Sequence, residues 1–198
     1  MAAPAELAAI DPANLTFLPV KRSATGNFLS GIGYAYQNTL DIKLPEMAMP
    51  FEVDKWGNIK LNLSTEPDDQ LVAKLRGIEK EVKRVASVRC FEWFGKQLAD
   101  DKENQLDNMF NPFLEWNKAG TYLSLKLKVN DQTVYYDPTK KRTDANVLEP
   151  RSLVRVIARP AYVYFMAGKF GVTWLVRQLM VTGSEKRGQE EVVCLFDD

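Results

Sequence analysis

Ser152-Leu153-Val154-Arg155-Val156-Ile157-Ala158-Arg159-Pro160-Ala161-Tyr162-Val163-Tyr164-Phe165-Met166-Ala167, then Gly168-Lys169-Phe170-Gly171, then Val172-Thr173-Trp174-Leu175-Val176-Arg177-Gln178-Leu179-Met180-Val181 reads as two β-strands joined by a glycine-bounded turn. β-Branched and aromatic residues dominate both arms, as a pleated, half-buried surface requires. Val154, Val156 and Ala158 alternate with Arg155, Ile157 and Arg159, so the two arginines share a face interrupted only by Ile157. Beyond Pro160, Tyr162 and Tyr164 take one side and Val163 and Phe165 the other, which interleaves rings and guanidiniums along the strand. The turn is no phosphate loop, because the spacing Gly-x4-Gly-Lys-Ser/Thr is absent and no helix follows. Its tip, Lys169 and Phe170, is expected to project where it can touch a ligand, as loop tips of β-barrels do.

Upstream, Thr121 to Val129 alternates almost perfectly: Leu123, Leu125, Leu127 and Val129 point inward and Ser124, Lys126 and Lys128 to the opposite face. Asn130-Asp131-Gln132 then turns the chain into Thr133-Val134-Tyr135-Tyr136, so the region from Thr121 onward reads as a long β-meander. Residues 139–146, with Lys140, Lys141 and Arg142 in succession, read as a mobile basic loop. Closer to the start, Leu40, Ile42 and Leu44 form one face of a half-buried strand, and the pieces 49–53 and 58–63 flank Asp54-Lys55-Trp56-Gly57 as a hairpin. Ser64-Thr65-Glu66-Pro67-Asp68-Asp69 carries a hydroxyl cap, an early proline and first-turn carboxylates, and so opens a helix. Leu71, Leu75, Ile78, Val82, Val85 and Val88 make its apolar stripe, while Lys74, Lys80, Glu81, Lys83 and Arg84 fall on the other, solvent-facing side and the pair Glu79–Lys80 reads as surface charge. Residues 99–120 support only a long loop or a short helix.

The length suits one substantial core. The expected organisation is an N-terminal arm and first strand over 1–30, a single domain over 31–187 containing the helix at about 66–97, and an acidic tail over 188–198. The chain has no histidine, which removes the commonest general base and the commonest transition-metal ligand together. No acidic cluster has members that must converge, so neither a metal nor another cofactor is expected. Two cysteines far apart argue against a disulfide framework and for a reducing compartment. There is no signal-like start and no apolar run long enough to cross a bilayer, so the protein is expected to be intracellular, neither secreted nor membrane-bound.

The formal net charge is +0, yet it is unevenly spread. Residues 119–187 hold twelve basic and five acidic groups, whereas 188–198 hold Glu190, Glu191, Asp197 and Asp198 with no base. A face combining Lys126, Lys128, Arg155, Arg159, Tyr162 and Tyr164, extended by Tyr135, Lys169, Phe170, Trp174 and Arg177, has the residue types that single-stranded nucleic acid needs. Cations track phosphates, and aromatic planes stack on exposed bases. Parity alone leaves a second reading open, in which the rings fill a β core and the bases sit on its rim.

The element order of strands, a hairpin, a helix and further strands is compatible with an α+β, mainly β architecture: an OB-fold-like Greek-key barrel with one long amphipathic helix inserted between strands. The final unit, from Ser152 through the glycine turn into Gly171-Val172-Thr173-Trp174-Leu175 and Gln178, resembles the closing strands of OB-fold single-stranded DNA-binding proteins of bacteriophages and large DNA viruses. Tyr135-Tyr136-Asp137 is similar as well, and the likeness covers roughly residues 121–181. It implies a replication or recombination protein in the cytoplasm or nucleus of a host cell that coats exposed strands and has no catalytic residues. Its partner would be single-stranded DNA, with RNA and self-association left open. The tail residues Glu190, Glu191, Phe196, Asp197 and Asp198 read either as a frayed end or as a peptide that occupies the basic groove or recruits replication proteins, although here the last ring precedes the terminal acids rather than following them. The competing readings are a β-rich viral structural or protein-interaction module and, third, a metal-dependent nuclease built on carboxylates such as Glu79 or Asp137.

Overall fold

A computed structural model describes residues 3–24, 26–63, 69–98 and 101–184. Short strands come first: β1 (Ala5–Glu6), β2 (Leu15–Phe17), β3 (Lys21–Arg22), β4 (Phe28–Tyr34), β5 (Ile42–Lys43), β6 (Met47–Met49) and β7 (Asn58–Leu63). Three helices follow, α1 (Gln70–Val88), α2 (Cys90–Phe94) and α3 (Lys102–Met109). The second half holds β8 (Phe110–Asn111), β9 (Leu114–Trp116), β10 (Leu123–Lys128), β11 (Val134–Tyr136), β12 (Arg142–Thr143), β13 (Ser152–Met166) and β14 (Lys169–Ser184).

The two long strands form an antiparallel spine. Their connection is shorter than the glycine spacing suggests. Ala167 and Gly168, at φ 50° and 73°, make a two-residue turn, and Lys169 already pairs with Met166. Positive φ at both central positions matches the twist of the flanking strands. Lys169 and Phe170 therefore belong to β14 and not to a turn tip.

Three short strands line each edge of this spine. Beside β13 lie β4, β5 and β6, all antiparallel, and beside β14 lie β8, β10 and β11, all parallel. The expected meander is thus replaced by crossovers: β11 does not fold back on β10 but docks on β14, and the basic segment closes a small hairpin of β11 with β12. The 54–57 turn forms as expected, with Asp54 Oδ1 accepting from Trp56 N and Asn58 N at 2.8 Å each. Its flanking strands part, however, with β7 pairing β10 and β6 pairing β13. Turn chemistry is local, whereas strand partnership depends on which edges the rest of the chain leaves open.

The α1 helix starts later than the hydroxyl cap implies. Asp69 is the N-cap, its carboxylate accepting from Leu71 N and Val72 N, and residues 64–68 lie outside the described set. Leu75, Ile78, Val82 and Val85 face the core as expected, but Val88 is 72% exposed, Val72 and Ala86 are buried in addition, and Glu81, expected on the solvent side, is buried with both carboxylate oxygens accepting from Arg84. A helix stripe drifts around the axis, so its last turn need not share the face of its first. From the segment before residue 30, Leu7, Ile10, Leu15 and Phe17 join the same core as Leu125, Val163, Trp174 and Leu179. Lys74 Nζ donates to the Ile10 carbonyl at 2.7 Å, tying this segment to α1. The result is a mainly β, α+β chain, an OB-fold-like barrel with the helical stretch inserted between β7 and the strands that complete the sheet.

Candidate nucleic-acid interface

In a regular strand the parity of Arg155 and Arg159 would put Tyr162 and Tyr164 on the opposite, core side. A bulge prevents this. Arg159 pairs with Leu175 and Pro160 with Trp174, but the next partner of Thr173 is Tyr162, leaving Ala161 as the extra residue. A bulge shifts the alternation of one strand by one place. Arg155, Arg159, Tyr162 and Tyr164 consequently share the outer face, while Val154, Val156, Ala158, Pro160 and Val163 are buried beneath it.

Cross-strand pairing extends that face. Lys128 pairs with Leu175, which pairs with Arg159, and Asn58 lies on the far side of Lys128. Two residues earlier β10 has left β14, and Lys126 N donates to the Phe113 carbonyl at 2.9 Å, while Tyr162 pairs with Thr173 and Tyr164 with Gly171.

Here the sheet carries a groove of about 640 Å³, lined on one side by Asn58, Lys126 and Lys128 and on the other by Leu29, Tyr162 and Tyr164. The loop from β8 to β9, with Asn111, Pro112, Phe113 and Glu115, closes one end. Gly171 creates the seat of Tyr164: a Cβ there would stand 2.8 Å from the Tyr164 hydroxyl and 2.7 Å from the Asn111 carbonyl oxygen. Asn111 Nδ2 donates to that hydroxyl at 3.1 Å and fixes the ring. Among the described residues Lys126 and Lys128 make no ion pair, whereas Lys60 is taken up by Glu115 at 2.8 Å.

The remaining candidates separate by burial. Arg159 lies on the right face but donates from Nε and Nη2 to both Asp41 oxygens, at 2.7 and 2.8 Å, and this bond raises its pKa further. Arg155 projects at the other end of the ribbon, with Glu46 at 3.5 Å. Arg177 is the extra residue of a bulge in β14 and donates to Gln132. Lys169 is exposed and donates to the Asn108 carbonyl. Three rings are corrected from contact to core: Trp174 is 1% exposed and Phe170 0%, and Tyr135 is buried with its hydroxyl pKa pushed up by that burial. Phe170 packs against Phe94 and Phe110, and Trp174 stacks edge-on against Phe113. Their side of β14 is the inner one, where a large apolar surface contributes most.

Sequence reasoning missed Asn58, Asn111 and Thr173, which reach the groove through pairings distant in the chain. It also missed exposed Trp56, although the Asp54 turn that presents it was legible. Glu79 and Asp137 do structural work. Glu79, read as solvated surface, accepts from Phe113 N and Leu114 N and so holds the loop that closes the groove, and desolvation pushes its pKa up. Asp137 accepts from Thr139 Oγ1, Thr139 N and Lys141 N, bonds that lower its pKa. Among the described residues no three acidic or cysteine side chains gather as a metal site, and no helix is long and apolar enough to cross a membrane. The acidic tail lies outside the described residues.

Comparison with solved structures finds the same fold in the single-stranded DNA-binding protein from bacteriophage Enc34, with 11% identity, a TM-score of 0.51 and coverage of 90% of this chain and 96% of that one. Bacteriophage T7 gp2.5, a single-stranded DNA binding protein, superposes at a TM-score of 0.49 with 13% identity over 77% of this chain and 91% of that one. No curated protein matches in sequence. Residues 53–193 match the profile of the family of unknown function DUF5871, and the chain belongs to that family.

Proposed function

We propose that the protein is a non-enzymatic single-stranded DNA-binding protein that coats exposed strands during replication or recombination. The observation that carries this reading is the groove itself, in which Lys126 and Lys128, free of ion pairs among the described residues, face Tyr162 and Tyr164 across β14. Ammonium groups neutralise successive phosphates, and rings stack on unpaired bases without demanding a sequence. The fold shared with the Enc34 protein supports the same reading. Residues 31–187 would then form the binding domain, completed by the N-terminal strands, and the acidic tail would recruit replication proteins.

Fluorescence anisotropy of a labelled oligothymidylate, titrated at several salt concentrations, tests this. Binding should weaken as salt rises, and Lys126→Ala or Lys128→Ala should each reduce the slope of log K against log salt by about 0.7. Tyr162→Ala or Tyr164→Ala should cost about 1 to 3 kcal/mol per stacked base. Absence of binding at low salt, or binding indifferent to salt, would overturn the reading in favour of a protein-interaction module.

A further inference from the structure

The outer face of the ribbon does not end at the Arg159–Asp41 pair. Beyond it, Ile157 pairs with Lys43 on one side and Gln178 on the other, and Arg155 pairs with Met180, which pairs with Tyr136. These cross-strand rows build a second concavity of about 330 Å³ on the face that carries the groove. Its floor is apolar, from Ile157 and Met180 beside the half-buried ring of Tyr136. Lys43, Lys140 and Arg155 surround it, and no carboxylate is among its lining residues.

Lys140 is held there by a folded loop. Its backbone sits at φ 65°, and its N–H donates to the Asp137 carbonyl at 2.9 Å. The Asp137 carboxylate meanwhile takes three hydrogen bonds from Thr139 and Lys141. A non-glycine residue adopts a left-handed conformation only where its surroundings impose it. Among the described residues Lys140 has no ion partner, while Arg155 pairs with Glu46 at 3.5 Å and Lys43 with Glu6 at 2.9 Å, both solvent-exposed pairs of the weak kind that a phosphate can displace.

We propose that this concavity is a second subsite for the same nucleic-acid strand, engaged by the stretch that runs past Arg159 out of the groove. The inference rests on the single-stranded DNA reading of the groove. Cations around a ring and an apolar floor offer phosphate contacts and a stacking surface, and position on one continuous sheet face favours a single strand over a separate ligand. Arg155 lies about 20 Å along β13 from Tyr162. At about 3.4 Å per stacked nucleotide, that span needs a strand of roughly six nucleotides or more.

The experiment compares oligothymidylates of about four and about sixteen nucleotides, spanning about 14 and 54 Å when stacked. Affinity is measured by anisotropy for the wild type, for Arg155→Ala with Lys140→Ala, and for Lys126→Ala with Lys128→Ala. All four positions are exposed or half-exposed, and thermal melting checks that each variant is folded. The subsite predicts that the Arg155 and Lys140 pair weakens the long oligonucleotide about tenfold at low salt and flattens its salt dependence, with the short one unchanged. The Lys126 and Lys128 pair should weaken both lengths. Equal loss at both lengths, or no loss at either, in the Arg155 and Lys140 variant overturns the second subsite and leaves the groove standing. If the wild type binds neither oligonucleotide, the groove reading fails and the subsite with it. Preference of this concavity for an acidic peptide, seen as wild-type DNA affinity in the variant alongside lost peptide binding, overturns it too.

Discussion

The two halves of β13 on either side of Ala161 solve the same packing problem with opposite alternation. Before the bulge, odd-numbered residues point outward, and Arg155 and Arg159 emerge there, each near a carboxylate. After it, even-numbered residues point outward, and Tyr162 and Tyr164 line the groove while Val163 is buried. Beyond the buried Ser152 the inner face is apolar: Val154, Val156 and Ala158 in the first half, Val163 in the second, in one core with β14 residues such as Val172, Trp174 and Leu179. Alternation is thus a property of a strand segment, and one unpaired residue decides which chemistry shares a surface.

Deleting Ala161 is the strongest way to break the contrast. With the bulge gone, either half of β13 must turn its outward residues into the core, burying two tyrosines or exposing the valines and burying two arginines. Loss of a cooperative denaturation transition is expected, and a deletion variant that melts like the wild type would show that the bulge does not set the faces. Next in size, Trp174→Ala should cost about 3 to 5 kcal/mol in urea denaturation, because it empties the inner face under the groove. A small stability loss coupled to a large loss of DNA affinity would return Trp174 to the contact surface.

Gly171→Ala should cost about 1 to 3 kcal/mol, since its Cβ meets the Asn111 carbonyl and the Tyr164 hydroxyl, and it should weaken DNA binding by displacing that ring. Comparison with Tyr164→Phe separates ring position from the Asn111 hydrogen bond. The smallest effect concerns the loop that closes the groove. Glu79 is raised from its ordinary value of 4.5, so the folded state retains its proton to higher pH than the unfolded chain does. Its contribution is fully present below 4.5 and is lost as pH rises through the folded value. Denaturation across that window should therefore show wild-type stability falling with pH by more than that of Glu79→Gln. Glu79→Ala, which removes the acceptor for two backbone N–H groups, should destabilise by about 1 to 3 kcal/mol. An unchanged pH profile in Glu79→Gln would remove this carboxyl from the account.

Much of the barrel was legible in local patterns. The inward set Leu123, Leu125, Leu127 and Val129 follows from a period of two, the α1 stripe from steps of three and four, and the Asp54 turn from its own side-chain bonds. Of the candidate site, Lys126, Lys128, Tyr162 and Tyr164 do line one groove, which is more than their sequence parity allowed. Phe170, Trp174 and Tyr135 misled because a ring in a β-strand satisfies a core and a stacking surface equally well until the buried side is known. Arg159 misled for another reason: its partner Asp41 lies 118 residues away.

By itself the sequence determined the strand-rich composition, the amphipathic helix, the long terminal hairpin and the gathering of basic groups in the last third, because each depends on neighbours within a few residues. Only the tertiary structure decided which edges pair, where Ala161 interrupts the ladder, and hence which cations and rings look into one groove. Those outcomes come from contacts between segments far apart in the chain, where competition for open sheet edges and buried area overrides any local preference.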